Sequence, residues 1–98
     1  MHRSDCDKKR PALVLSNAEN FNGPAGHSVM AMITSAKNAA WPLDCQITDL
    51  LSAGLPVPSV VCCKLFTLDH RLVQGEVGFL ANTDADAISE QLRQLFSL

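Results

Sequence analysis

The sequence predicts a mainly β domain closed by a C-terminal α-helix, and three observations carry that prediction. Its apolar residues fall in short, β-rich runs separated by proline, glycine and asparagine. Only one segment, at the C-terminus, repeats apolar residues at helical spacing. The chain has 98 residues, 47% of them hydrophobic and 18% charged, which is one domain's length with enough apolar content for a core. No apolar run approaches the ~18–20 residues that cross a bilayer, so no membrane association is expected.

The elements follow in order. Residues 11–15, Pro-Ala-Leu-Val-Leu, read as a short buried strand, with Pro11 first, where a missing N–H does least harm. Residues 16–26 hold three Asn, two Gly and Pro24 and read as a loop. Residues 28–34 resume as a second strand, and 37–42 are another break. Residues 43–47 alternate Leu, Asp, Cys, Gln, Ile, the period-two pattern of a half-buried strand. One helical turn is expected over 48–53, ended by Gly54 and blocked by Pro56 and Pro58.

Residues 60–68 form the longest apolar stretch and read as one or two strands. Residues 73–80 set Gly75 and Gly78 beside Val77, Phe79 and Leu80, consistent with a last strand after a turn or bulge. Asn82 or Thr83 then caps the helix, and Thr83 with Asp86 resembles a capping box with Asp in place of Glu or Gln. Ala85, Ile88, Leu92, Leu95 and Phe96 make its apolar face. Asp84 and Asp86 complement its positive end and Arg93 its negative end.

Eight Lys plus Arg against ten Asp plus Glu give a net charge of -2, without the basic excess typical of a nucleic-acid binder. The positive charge is uneven: Arg3, Lys8, Lys9 and Arg10 crowd the first ten residues beside Asp5 and Asp7. Of the four cysteines, Cys6, Cys45, Cys62 and Cys63, no two form Cys-x-x-Cys. Cys62 and Cys63, adjacent on a strand, point to opposite faces, and His27 and His70 are isolated, so reduced thiols are expected rather than a metal site. The first ten residues lack the apolar core of a secretory signal, which points to the cytoplasm.

No glycine-rich phosphate loop, nucleophile elbow or metal signature occurs. What remains is a set of polar groups at strand ends: Arg10 before the first strand, Thr34 and Ser35 after the second, and Asp69, His70 and Arg71 after the fourth. Guanidinium and hydroxyl donors converging at one end of a sheet suit a phosphodiester, although strand ends are also where any β protein keeps polar residues.

Arg10-Pro11-Ala12-Leu13-Val14-Leu15-Ser16 resembles a signature of the MazF/PemK toxins of type II toxin–antitoxin systems. Further matches occur in that family's order: Gly26-His27-Ser28-Val29, Met32-Ile33-Thr34-Ser35, Trp41-Pro42-Leu43-Asp44, Leu55-Pro56 with Pro58-Ser59-Val60-Val61, and Lys64-Leu65-Phe66-Thr67-Leu68-Asp69. The resemblance implies a small SH3-like barrel with a C-terminal helix over residues 10–98, a homodimer, and an antitoxin protein as partner. It also implies an endoribonuclease that cuts single-stranded RNA, chiefly mRNA, without a metal or other cofactor, by attack of the ribose 2′-OH on the adjacent phosphate.

By position, Arg10 matches the arginine that stabilises the phosphorane's charge, and Thr34 the threonine that hydrogen-bonds the scissile phosphate, a role Ser35 shares. Asp69 matches an acidic residue that serves as base in some relatives. His70 is a candidate acid or base, because histidine titrates near neutral pH. Lys64 and Arg71 are candidates for the RNA backbone. Trp41 and Phe66 fit either base stacking or the core.

Three departures qualify the match. Relatives begin with a further strand, whereas residues 1–9 look like a polar remnant of the loop after it, which predicts a barrel open at one edge. Cys62 stands where relatives often carry Arg, and Gln74, Gly75 and Glu76 occupy a stretch that is often basic. A truncated or degenerate, non-catalytic relative that binds an antitoxin or dimerises is the alternative these departures leave.

Overall fold

The structure, a computed structural model, describes residues 10–97. Strand β1 (Ala12–Val14) leads through a π-helical turn (Ala18–Asn22) and α1 (Gly23–Ala25) into β2 (His27–Ser35). A 3-10 turn (Ala36–Asn38) and a loop precede β3 (Cys45–Gln46) and α2 (Leu50–Ala53). Strand β4 (Ser59–Asp69), a 3-10 turn (His70–Leu72) and α3 (Asn82–Phe96) complete the described chain. The expected remnant at residues 1–9, and Cys6 within it, lie outside the described residues.

The four strands form one antiparallel sheet in the order β1-β2-β4-β3, curled into a half-barrel. Three of its registers place the polar strand ends. Ala12 pairs with Met32, Thr34 with Val60, and His27 with Asp69. Between Ala31, opposite Leu65, and Met32, opposite Cys62, the β2–β4 ladder shifts, so Cys63 and Lys64 have no partner on β2. That bulge explains why the long apolar run 60–68 is one bent strand rather than two.

Alternation sorts the sheet into two faces. Ala31, Ile33, Val61, Leu13, Leu65 and Cys45 turn to one side, where Ile47, Ala53, Leu55 and Ile88 close the core. Met32, Thr34, Cys62 and Lys64 share the opposite face, beneath the loop that follows Ser35. α3 packs its Ile88 and Leu92 stripe on the core, whereas Leu95 and Phe96, expected on the same face, are exposed. Helix α2 ends as expected at Gly54, at φ 72, the left-handed conformation a helix C-terminus favours for glycine.

Two expectations are corrected. Residues 73–80 are not a strand but an extended coil lying on α2. A Cβ on Gly78 would meet the Ser52 carbonyl oxygen at 2.5 Å, and one on Gly54 the Val77 carbonyl oxygen at 1.9 Å. Both glycines are therefore used for backbone-to-backbone contact, with Phe79 N–H donating to Ser52 O at 2.9 Å. The capping box is absent as well: Ala81 occupies the N-cap, with no side-chain hydrogen bond. Asp84 turns inward instead, 2% exposed, and accepts from Thr48 N–H, Thr48 Oγ and Asp49 N–H at 2.7–3.0 Å. It thereby ties the first turn of α3 to the entry of α2. The expected loop at 16–26 contains the π-helical turn and α1, with Asn17 Oδ1 accepting from Asn20 N–H at 2.7 Å.

Candidate active site

Thr34 lies one residue from the end of β2, and Ser35 is its last residue. Because β1 runs antiparallel to β2, the start of β1 lies beside the end of β2. The ladder continues one step past the strand, with Ile33 N–H donating to Pro11 O at 3.3 Å. The next position along that register sets Arg10, which is exposed, alongside Thr34. Antiparallel pairing thus brings together two groups far apart in sequence that the motif order makes candidates.

Thr34 opens into a cleft of about 240 Å³. The sheet contributes Thr34, Cys62 and Lys64 to its wall, and the following loop contributes Asn38, Trp41 and Asp44. Strand alternation sets Lys64 on the same side as Cys62, and its side chain lines the cleft. Lys64 Nζ stands 4.5 Å from the centroid of the Trp41 ring, a cation–π contact that orients both side chains.

The turn at residues 41–44 closes on itself. Trp41 N–H donates to Asp44 Oδ2 at 3.0 Å, and Asp44 N–H donates to Trp41 O at 3.2 Å. Leu43 takes φ 67, unusual for a residue with a side chain. Gln91 of α3 donates to Leu43 O at 3.4 Å. From sequence Asp44 reads as part of a strand pattern and closes the Trp41-Pro42-Leu43-Asp44 match, with no role of its own. An acidic residue three positions after the first N–H of a proline-containing turn is the signal that finds it.

Asp69, His70 and Arg71 do not join this group within the chain. Strand β4 also runs antiparallel to β2, so its end lies beside the start of β2, with Asp69 opposite His27. At ~3.3 Å per residue that is roughly 20 Å along the sheet from Thr34. The expected convergence of all these groups at one end of the sheet therefore holds for Arg10, Thr34 and Ser35 and fails for residues 69–71.

At that far end Asp69 and Arg71 neutralise one another, with Arg71 Nη2 2.6 Å from Asp69 Oδ2 and His27 Nε2 at 3.8 Å. Hydrogen bonds from the Arg71 side chain, then its backbone N–H, hold the Asp69 carboxyl well below the usual carboxylate range. His70 Nε2 lies 2.8 Å from the hydroxyl oxygen of buried Ser28, a contact the sequence does not suggest. Phe66 is half-buried opposite Met30, whereas Trp41 is 48% exposed, so of the two aromatics only Trp41 is presented to a ligand. Gln74, Gly75 and Glu76 are exposed on the coil over α2.

Cys45, Cys62 and Cys63 are free thiols. Burial first, then neighbouring thiol and carboxylate groups, pushes the Cys45 and Cys63 thiols up, which makes them poor nucleophiles. Among the described residues no group of three His, Cys, Asp or Glu side chains is placed to hold a metal ion. No helix among them is long and apolar enough to cross a membrane.

The cleft thus holds the Thr34 hydroxyl and the Lys64 ammonium on its wall, with exposed Arg10 alongside Thr34 in the β1–β2 register. Over residues 2–96 the sequence matches the family described as PemK-like, MazF-like toxins of type II toxin-antitoxin systems. The chain belongs to that family. It is similar in structure to the Mycobacterium tuberculosis toxin MazF-mt6, with a TM-score of 0.75 and 25% identity, over 100% of this chain and 94% of that one. A chain of the MazE-MazF crystal structure from Deinococcus radiodurans gives a TM-score of 0.71 at 23% identity, over 91% of this chain and 82% of that one. An endoribonuclease from a Mycobacterial species gives 0.72 at 19%, over 99% of this chain and 86% of that one. These last two likenesses establish the shared fold. No curated protein sequence matches the chain.

Proposed function

We propose that this protein is the toxin of a type II toxin–antitoxin system and acts in the cytoplasm as a metal-independent endoribonuclease on single-stranded RNA, chiefly mRNA. The observation that carries the reading is the cleft itself, where the Thr34 hydroxyl and the Lys64 ammonium share one wall and the register brings Arg10 alongside. A phosphodiester placed there receives a hydrogen bond from Thr34, with Ser35 next to it, and positive charge from Arg10 and Lys64.

In the reaction the ribose 2′-OH gives up its proton and its oxygen attacks the adjacent phosphorus. The P–O5′ bond breaks, leaving a 2′,3′-cyclic phosphate on one fragment and a 5′-OH on the other. Arg10 stabilises the extra negative charge of the phosphorane, a task for which a guanidinium's charge and paired N–H donors are well suited. The MazE-MazF assembly of the Deinococcus radiodurans neighbour supports an antitoxin as protein partner, and homodimerisation completes the reading.

A second reading, a non-catalytic relative that binds an antitoxin or dimerises, is favoured by the net charge of -2 and by Leu51, Val77 and Phe79, which are exposed around α2 and its covering coil. Incubating the protein with a long single-stranded RNA in EDTA separates the two. Cleavage by the wild type that falls at least ~100-fold in Arg10→Ala is expected. Equal survival of the RNA with both proteins, alongside an intact antitoxin complex, would instead establish the second reading.

A further inference from the structure

The reaction needs a proton that none of the roles above supplies. Attack by the 2′-oxygen breaks the P–O5′ bond, and the departing 5′-oxygen is a strongly basic alkoxide unless it is protonated as it leaves. Arg10 does not fill that need, because a guanidinium keeps its protons in a protein. His27, Asp69 and His70 stand at the other end of β2.

The cleft wall narrows the choice. Thr34 and Asn38 offer hydrogen bonds there but no acidic proton. Asp44 serves as an acceptor: Oδ2 takes the Trp41 N–H, and Oδ1 is shut off from solvent with no hydrogen-bond partner among the described residues. Cys62 is 4% exposed, so its thiol gives the cleft almost no surface. Lys64 is different. Its ammonium is exposed, has three N–H donors and stands over the Trp41 ring, a contact that steadies a long, flexible side chain. At about 240 Å³ the cleft is smaller than most ligand sites, so a phosphate bonded to Thr34 lies close to the other walls.

We propose that Lys64 is the general acid of the reaction, its ammonium giving a proton to O5′ as the P–O5′ bond breaks. Hydroxide from solvent takes the 2′-OH proton and becomes water, and the freed electron pair on O2′ bonds to phosphorus. The P–O5′ pair stays on O5′ and takes up the Nζ proton. Water then reprotonates the amine and returns the hydroxide. The inference rests on the endoribonuclease reading and deepens it, since it gives Lys64 a proton transfer in addition to its charge.

Sulfur in place of O5′ separates the two contributions, because a thiolate leaves without needing a proton. An oligonucleotide spanning a linkage that the wild type cuts is made with oxygen or with sulfur at that 5′ position, and single-turnover rates are compared. Lys64→Arg keeps the positive charge but not the transferable proton. It is expected to slow the oxygen linkage about 100-fold and the sulfur linkage less than about threefold. Lys64→Ala also loses the charge, yet sulfur should still recover at least about tenfold of its defect. Arg10→Ala, which takes charge from the phosphorane, should slow both linkages alike.

Equal losses on oxygen and sulfur in the Lys64 variants overturn the proposal and leave Lys64 a source of charge alone. Cleavage of the oxygen linkage by Lys64→Arg within roughly threefold of wild type overturns it as well. Lys64→Ala decides the matter should Lys64→Arg fail to fold. Each of these results leaves the nuclease standing, whereas a wild-type protein that cuts no RNA removes the nuclease and this inference together.

Discussion

At Asp84 a carboxylate stays ionised although it is 2% exposed, because three donors from the entry of α2 surround it. Burial by itself pushes its carboxyl up; the bonds from Asp49 N–H and from the Thr48 hydroxyl and N–H outweigh burial and leave it lowered. A lowered carboxylate contributes stability that is present above its unfolded value and lost as the pH falls through its folded one. Asp84→Asn, which sets an amide against those donors, is expected to cost about 2–3 kcal/mol at neutral pH. The gap to wild type, read from urea midpoints, should narrow as the pH drops below about 4. Asp69 is lowered for a different reason, its pairing with Arg71, and it lies at the wrong end of the sheet. A charge roughly 20 Å from the phosphate is about two Debye lengths away at about 0.1 M salt, so Asp69→Asn should leave cleavage within roughly threefold of wild type. A loss as large as that of Arg10→Ala would place Asp69 at the reacting phosphate after all.

Elements reveal what a single sequence can and cannot disclose. β1, β2, β4, α2 and the core stripe of α3 are legible because alternation, helical spacing, proline and glycine are local signals. The coil at residues 73–80 is not, since its apolar residues and glycines look the same whether they pair with a sheet edge or lie on a helix. The choice is made by Gly54 and Gly78, which let two backbones touch, and that is a tertiary requirement. Gly78→Ala drives a methyl group into the Ser52 and Ala53 carbonyls and is expected to cost about 1–3 kcal/mol, measured by thermal melting. An unchanged midpoint would mean the coil lifts off α2 freely. The site divides along the same line. Arg10 and Thr34 stand out by type and order, and β1–β2 pairing joins them. The separation of residues 69–71 depends on which end of β2 meets β4, and the orphaned oxygen of Asp44 depends on a turn; neither leaves a periodic trace.

At the scale of the whole molecule, an acidic balance surrounds a cleft whose wall carries one cation, Lys64, with Arg10 alongside Thr34 in register. RNA affinity should then depend only modestly on salt, with a log–log slope of about -1 to -2, measured by anisotropy with an uncleavable oligonucleotide. A much steeper slope would assign a larger share of binding to charges beyond the cleft. The β2–β4 ladder, which builds most of the sheet, has a consequence for how the molecule comes into being. It joins Thr34 to Val60 and His27 to Asp69, pairings separated by long stretches of chain whose closure must precede any gain from contact. On the ribosome β2 emerges well before β4, and the Ile88 and Leu92 that seal the core emerge later still. A nascent chain therefore carries Thr34 without Lys64, and the cell that makes this protein meets the assembled cleft only once α3 has left the ribosome.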